Sequence, residues 1–292
     1  MAETGKKAPS ARLYQTAEQM LSCEKLDAAV VCVTPERHGK IEREAAKRGV
    51  HLYVEKPVGL SLPEARETAR VIRESGVLAA AGYQQRYSPM LEEIRAMLPQ
   101  KKVGLVSGRW IGWPAPALWW RNKEQSGGQL VEQATHIVDA LRYLFGEVES
   151  VYSVGRKGLS PLPGSTVEDC SSSVLRFGSG VLASLQAGCY LDGEAADGAV
   201  GFEIYCDDLR IEYRWSGSAR FITKDEDRTV QFGASHQQRA LQTFIEAVRS
   251  KDGALLRSTY EDAVETLAVT LAANRSMETG LPVSPRTLLP LT

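Results

Sequence analysis

Three short apolar runs near the start of the chain, residues 26–34, 50–54 and 77–82, are separated by segments of helical periodicity. Strands that alternate with helices pair side by side through crossovers, so this pattern restricts the region to a parallel sheet. The helices between the runs are punctuated at both ends. Residues 36–48 place Ile41 and Ala45 on one face and are followed by Gly49, suited to a left-handed C-terminal cap. Ser61 and Glu64 form a capping-box pattern ahead of a helix lined by Ala65, Ala69 and Ile72 and closed by Gly76. Ser88-Pro89 reads as the cap and first-turn proline of a further helix through Ile94, Met97 and Leu98.

Beyond Leu98 the period shortens to an alternation. Residues 103–111, 148–155, 169–177, 181–190, 199–206 and 209–215 read as strands, with Gly178-Ser179-Gly180 and Asp207-Asp208 as hairpin turns. Helices are expected over 129–145, 237–250 and 260–279. A chain of 292 residues can bury two cores. The expected architecture is therefore an α/β unit with a parallel sheet over residues 1–87, then an α+β domain with an open, largely antiparallel sheet over 88–292.

Lys plus Arg number 35 against 36 for Asp plus Glu, a net charge of -1, so no global field draws the chain to nucleic acid or an anionic membrane. A small, locally recognised ligand fits better. The five cysteines (Cys23, Cys32, Cys170, Cys189, Cys206) are widely spaced, odd in number and free of CxxC pairs. That argues against a disulfide framework or a thiolate zinc site and for buried free thiols in a reducing compartment. Met1 to Ala11 is polar and basic, and no apolar run approaches the ~18 residues of a membrane span, so the expected location is cytoplasmic.

Two constellations could carry chemistry. Glu55-Lys56-Pro57 ends the second strand, and ligands of open α/β sheets bind at the carboxyl ends of strands. Proline disfavours the helical region for the residue before it, so Lys56 is held at the strand tip. There it either moves a proton to or from a hydroxyl or is a plain solvent-exposed lysine. The second is the run from Gly127-Gly128 to Asp139, in which Glu132, His136 and Asp139 fall near one face of a helix. A carboxylate one turn from an imidazole can raise its basicity and orient it. The alternatives are acid placed at a helix N-terminus for its dipole, with a histidine that only hydrogen-bonds, or a metal site, for which no second histidine stands at ligand spacing. Between them, Trp119-Trp120-Arg121 lies in a proline-broken, aromatic stretch. Its indoles can cover the C–H faces of a sugar while Arg121 donates to hydroxyls or a carboxylate, or they simply pack the loop.

Four features stand in order: Thr34-Pro35 with His38 after the first strand, Glu55-Lys56-Pro57 after the second, Gly82-Tyr83-Gln84-Gln85-Arg86-Tyr87 after the third, and the Gly127-Gly128 to Asp139 helix. Taken together the chain resembles the glucose-fructose oxidoreductase / inositol dehydrogenase (Gfo/Idh/MocA) family. The resemblance implies a Rossmann-type domain, an open-sheet domain, NAD or NADP as cofactor, and oxidation or reduction of a carbinol on a sugar or polyol. It also implies a homodimer or homotetramer formed through the open sheet. Lys56 matches the family's catalytic lysine and His136 its acid/base histidine, with Glu132 where many members carry aspartate. Thr34, Pro35, His38, Glu55, Lys56 and Gln84 match positions around the cofactor. Trp119, Trp120, Arg121, Thr135, His136 and Asp139 are expected toward the substrate, and no metal is expected.

The sequence contains no GxGxxG turn, whose backbone N–H groups normally hold a pyrophosphate. The Rossmann unit is expected to be incomplete, opening in the helix that follows that turn and reaching Leu13-Tyr14 as a short strand. Three readings follow: a hydride-transferring enzyme, a non-catalytic sugar-binding homologue that cannot hold the dinucleotide, or a metal-dependent hydrolase built on Glu132, His136 and Asp139, which would need bound metal.

Overall fold

The computed structural model describes residues 10–160, 162–191, 199–233 and 236–288. Most of the basic opening stretch, including the expected opening helix, lies outside them. A parallel three-stranded sheet runs β1 (Ala28–Val31), β2 (His51–Val54) and β3 (Ala79–Ala81) in that spatial order, with Ala28 opposite His51 and Leu52 opposite Ala79. The strands are one to several residues shorter than the apolar runs, β2 at its amino end alone and β1 and β3 at both ends. Leu13-Tyr14 is not a strand. Instead α1 (Ala17–Cys23) precedes β1, capped by Thr16, whose hydroxyl accepts from the Gln19 N–H.

The crossover helices are α2 (Lys40–Lys47) and α3 (Leu62–Ser75). The expected helix over 36–48 is divided. Pro35–Arg37 forms one tight turn, and Gly39, at φ +111°, breaks the run before α2 begins. It is this positive φ that calls for glycine here, since the nearest atom to an added Cβ is the movable Glu64 carboxylate at 2.7 Å. The other punctuation holds: Ser61 caps α3, Gly76 ends it in the left-handed region, and Ser88 caps α4 (Pro89–Met97).

The second sheet has eight strands: β4 (Val103–Gly112), β5 (Val148–Arg156), β6 (Cys170–Phe177), β7 (Leu182–Cys189), β8 (Val200–Cys206), β9 (Arg210–Arg214), β10 (Ser218–Ile222) and β11 (Asp227–Gln231). Their spatial order is β11-β10-β9-β8-β4-β7-β6-β5, and only the central β4–β7 pair is parallel. The last two strands were not expected, because the residues around them are rich in Arg, Asp and Lys and carry little apolar alternation. α5 (Thr135–Phe145) lies on one face, where Ile137 and Leu141 join Val106, Leu185 and Ile204 in the core. On the other face Leu105, Tyr152, Val154, Val174, Leu182 and Tyr205 are exposed. Leu105 sits in register between Leu182 and Tyr205, and Tyr152 opposite Val174.

The chain then returns to the first sheet. α6 (His236–Ser250) packs Phe244 and Ala240 against Tyr53 and Ala80, and α7 (Tyr260–Thr279) packs Val264, Leu267 and Ala268 into the core that holds Leu52 and Val54. All five cysteines are free. The expectation that they are buried is corrected: Cys23 and Cys32 are exposed, since α1 and the unpaired edge of β1 leave them uncovered, and Cys189 alone is fully buried. Among the described residues no helix is long and apolar enough to cross a membrane.

Candidate active site

The parallel register brings three strand ends together. The Glu55 N–H donates to Val31 O at 2.9 Å and the Gly82 N–H to Val54 O at 2.8 Å, so the segments after β1, β2 and β3 open side by side. A Cβ at position 82 would lie 2.6 Å from Glu55 Oε2, so a larger residue there would push the Glu55 carboxylate aside. The half-buried Glu55 carboxylate takes no hydrogen bond or ion pair among the described residues. Thr34 donates to Glu36 at 2.8 Å, Pro35 is buried beneath it, and Gln84 is half-buried at the end of β3. His38 is placed differently from expectation. Its side chain is fully enclosed, with Nδ1 2.5 Å from Glu42 Oε1, and Glu42 also accepts from the Gly39 N–H at 2.6 Å. It braces the turn after β1 from within and offers no surface to a ligand.

Lys56 is no loose surface lysine. Its ammonium donates to a Glu132 carboxylate oxygen and, at 2.6 Å, to the Glu132 carbonyl, and the two side chains are only 15% and 14% exposed. The other Glu132 carboxylate oxygen accepts the Trp120 indole N–H at 2.8 Å. The expected continuous helix over 129–145 is interrupted here. Gln129–Glu132 forms one turn, the Ala134 N–H donates back five residues to Gln129 O, and α5 starts at Thr135. Glu132 thus leaves the face that carries His136 and turns to Lys56, which corrects the predicted carboxylate–imidazole pair.

His136 is buried in an aromatic box. Trp110 stacks on it (5.5 Å between centroids, 18° between planes), Trp215 lies tilted at 5.3 Å and Tyr83 meets it edge-on at 6.1 Å. Burial, with the Lys56 charge adding to it, drives the His136 pKa well below the ordinary imidazole range. Its Nδ1 is buried with no partner among the described residues. Thr135 shares a 2.8 Å hydrogen bond with the Tyr83 hydroxyl, which sets the edge of that box.

Two residues expected on the substrate serve the scaffold. Asp139 is 1% exposed and accepts two hydrogen bonds from Arg86, at 2.9 and 2.7 Å, plus one from Thr266 at 2.9 Å, which occupies both its oxygens. Trp120 is 1% exposed, enclosed with Val167 and Cys189, and presents no face to a ligand. Trp119 is half-buried against the same cluster, while Arg121 is half-buried with an Nε that has no partner among the described residues. Sequence reasoning missed Trp110 and Trp215 altogether. One is a strand residue and the other follows a strand, and no local signal joins positions so far apart. Arg86 stood in a noted motif, yet its role follows only from where α5 and α7 pack.

Residues 2–83 match a family model described as an oxidoreductase family with NAD-binding Rossmann fold, and residues 95–212 match the GFO/IDH/MocA C-terminal domain. Relatives include a scyllo-inositol 2-dehydrogenase (NAD(+)) of Bacillus subtilis (strain 168), 27% identical over 88% of this chain and 77% of that protein. Another is the rhizopine catabolism protein MocA of Rhizobium meliloti, 27% identical over 92% of this chain and 82% of that protein. Among solved structures, the WlbA dehydrogenase from Bordetella pertussis, in complex with NADH and UDP-GlcNAcA, superposes with a TM-score of 0.79 at 22% identity, covering 99% of this chain and 87% of that one. A levoglucosan dehydrogenase, in complex with NADH and levoglucosan, gives 0.84 at 18% identity, covering 97% and 86%. With both halves matched and the strand-end motifs in place, the chain belongs to the Gfo/Idh/MocA family of oxidoreductases with an NAD-binding Rossmann fold.

Proposed function

We propose that the chain oxidises or reduces a carbinol carbon of a sugar, polyol or sugar derivative, with Lys56 and His136 handling the proton. The observation that carries this reading is the pairing of a tethered ammonium, Lys56, with a neutral imidazole, His136, that feels its charge, beside the carboxyl ends of three parallel strands. The residues there suit a nicotinamide nucleotide: Glu55 has free acceptor oxygens, and Thr34 and Gln84 are partly open at neighbouring strand ends. When bound, the nicotinamide ring accepts or supplies the hydride. In the oxidative direction His136, held neutral by burial, takes the hydroxyl proton, and Lys56 donates a hydrogen bond to the same oxygen as its charge develops. In reduction the proton runs back. Trp110 and Trp215, rather than Trp119 and Trp120, offer indole surface beside His136 for the C–H face of the ring, and we read Arg121 as the donor to a hydroxyl or carboxylate.

The test is absorbance of the reduced cofactor with NAD⁺ or NADP⁺ and a panel of sugars and polyols, inositols included. Lys56→Ala is expected to lose at least the ~10²-fold typical of a positioned acid or base. A variant turning over at the wild-type rate sinks the assignment.

The exposed apolar face of the eight-stranded sheet supports self-assembly, and we read the partner as a second copy of this chain. A patch of six large apolar side chains on one sheet face exceeds the scattered exposure usual on a monomer. The five free thiols fit a reducing compartment, and the cytoplasm is our proposed location.

A further inference from the structure

We propose that Trp120 is a positioning residue: its indole N–H fixes the Glu132 carboxylate, and Glu132 in turn fixes the Lys56 ammonium at the carboxyl end of β2. The inference rests on the reading of Lys56 given above. Each Glu132 carboxylate oxygen is committed to a different partner, one to Lys56 and the other, at 2.8 Å, to Trp120 Nε1. The carboxylate therefore cannot rotate toward or away from Lys56 without giving up a hydrogen bond. Trp120 itself is wedged. Its ring is buried with Val167 and Cys189, against Ala115, Ala117 and Trp119, so the indole is held in place by packing. An indole donates and does not accept, which makes the strap one-directional: it can hold a carboxylate but not replace one.

The arrangement also ties the loop to the site. Trp120 belongs to the tight turn Leu118–Arg121, whose other members are half-buried or exposed, with Leu118 at 77%. The tilt of that turn is transmitted through one side chain to Lys56. Trp120→Phe keeps an aromatic ring in the enclosure but removes the donor together with the volume of the second ring, so the comparison with Glu132→Ala, which leaves the indole whole, is what separates the hydrogen bond from the packing.

The experiment needs no substrate. The full chain is given a short pulse of acetic anhydride, and acetylation of each lysine is followed by mass spectrometry. In Trp120→Phe, Lys56 is expected to react several-fold faster while Lys101 and Lys224 are unchanged. Glu132→Ala should give the same acceleration, and the double variant no more than Glu132→Ala alone, because both changes cut one strap. Additive effects, a general rise at all lysines, or an unchanged Lys56 in Trp120→Phe overturn the proposal. Should Trp120→Phe fail to fold, the ¹⁵N–¹H indole signal of Trp120 is followed in Lys56→Met. Its displacement supports the coupling, and an unmoved signal overturns it. Turnover separates this inference from the reading beneath it. Lys56→Ala at the wild-type rate removes the functional reading whatever the labelling shows, whereas an inactive Lys56→Ala beside an unaltered Lys56 label in Trp120→Phe removes only the role of Trp120.

Discussion

Burial decides the charge on His136. Walled by Trp110, Trp215 and Tyr83 and facing the Lys56 charge, its imidazole is held neutral well below the range where a free histidine protonates. The unfolded chain takes up that proton near pH ~6.5, and the folded chain only at lower pH. Below ~6.5 the unfolded state binds more protons, so stability falls as pH falls. Denaturant midpoints between pH 7 and pH 5 should therefore drop in the wild type, and His136→Phe should flatten that part of the slope. Equal slopes in both proteins would place the imidazole in water. The same residue shows what one sequence cannot display. Its position on a helix was readable from spacing, but the box around it comes from a strand, a strand end and a loop that meet only in three dimensions.

Between elements, the junction of the two sheets depends on Arg86. It lies in the turn after β3, holds Asp139 on α5 through two hydrogen bonds, pairs with Asp262 on α7 at 2.5 Å, and is 5% exposed. Stripping a buried charge of its partners typically costs about 3–5 kcal/mol. Asp139→Ala leaves Arg86 paired with Asp262 and should cost less than that in denaturant unfolding, the full loss being expected when Asp262 is replaced as well; a loss below ~1 kcal/mol in the double variant would mean that water reaches the guanidinium. Legibility at this scale follows locality. Ser61, Gly76, Gly49 and Ser88 announced their helix ends because a cap is a bond within one turn of chain. The interruption at residues 133–134 was invisible, since 129–145 is consistent with a single helix and the break shows only where Glu132 turns to Lys56 and Trp120. β11 was lost for a related reason: an edge strand needs little apolar alternation when its neighbour supplies the ladder, and β10 beside it was hidden by its brevity, with only Ala219 and Phe221 alternating into the core.

For the whole molecule, the open sheet face and the order of its strands matter most. If a second copy covers that face, Leu105→Lys should yield a smaller species by light scattering, because the charge falls between Leu182 and Tyr205 in the middle of the patch. An unchanged mass, or a wild type already monomeric, counts against assembly through this surface. The two-sheet architecture was readable from the change of period near residue 98, and the return of α6 and α7 to the first sheet was not, because an amphipathic helix does not declare its partner. The position of β4 has a consequence for how the protein is made. Its neighbours, β7 and β8, begin at Leu182 and Val200, well after β4 has ended at Gly112. At roughly 5–20 residues per second, a ribosome leaves β4 without either partner for several seconds. During that interval Val106, Trp110 and Ile111 are an unpaired apolar strand, and the middle of the finished sheet is the segment of the nascent chain most in need of a chaperone.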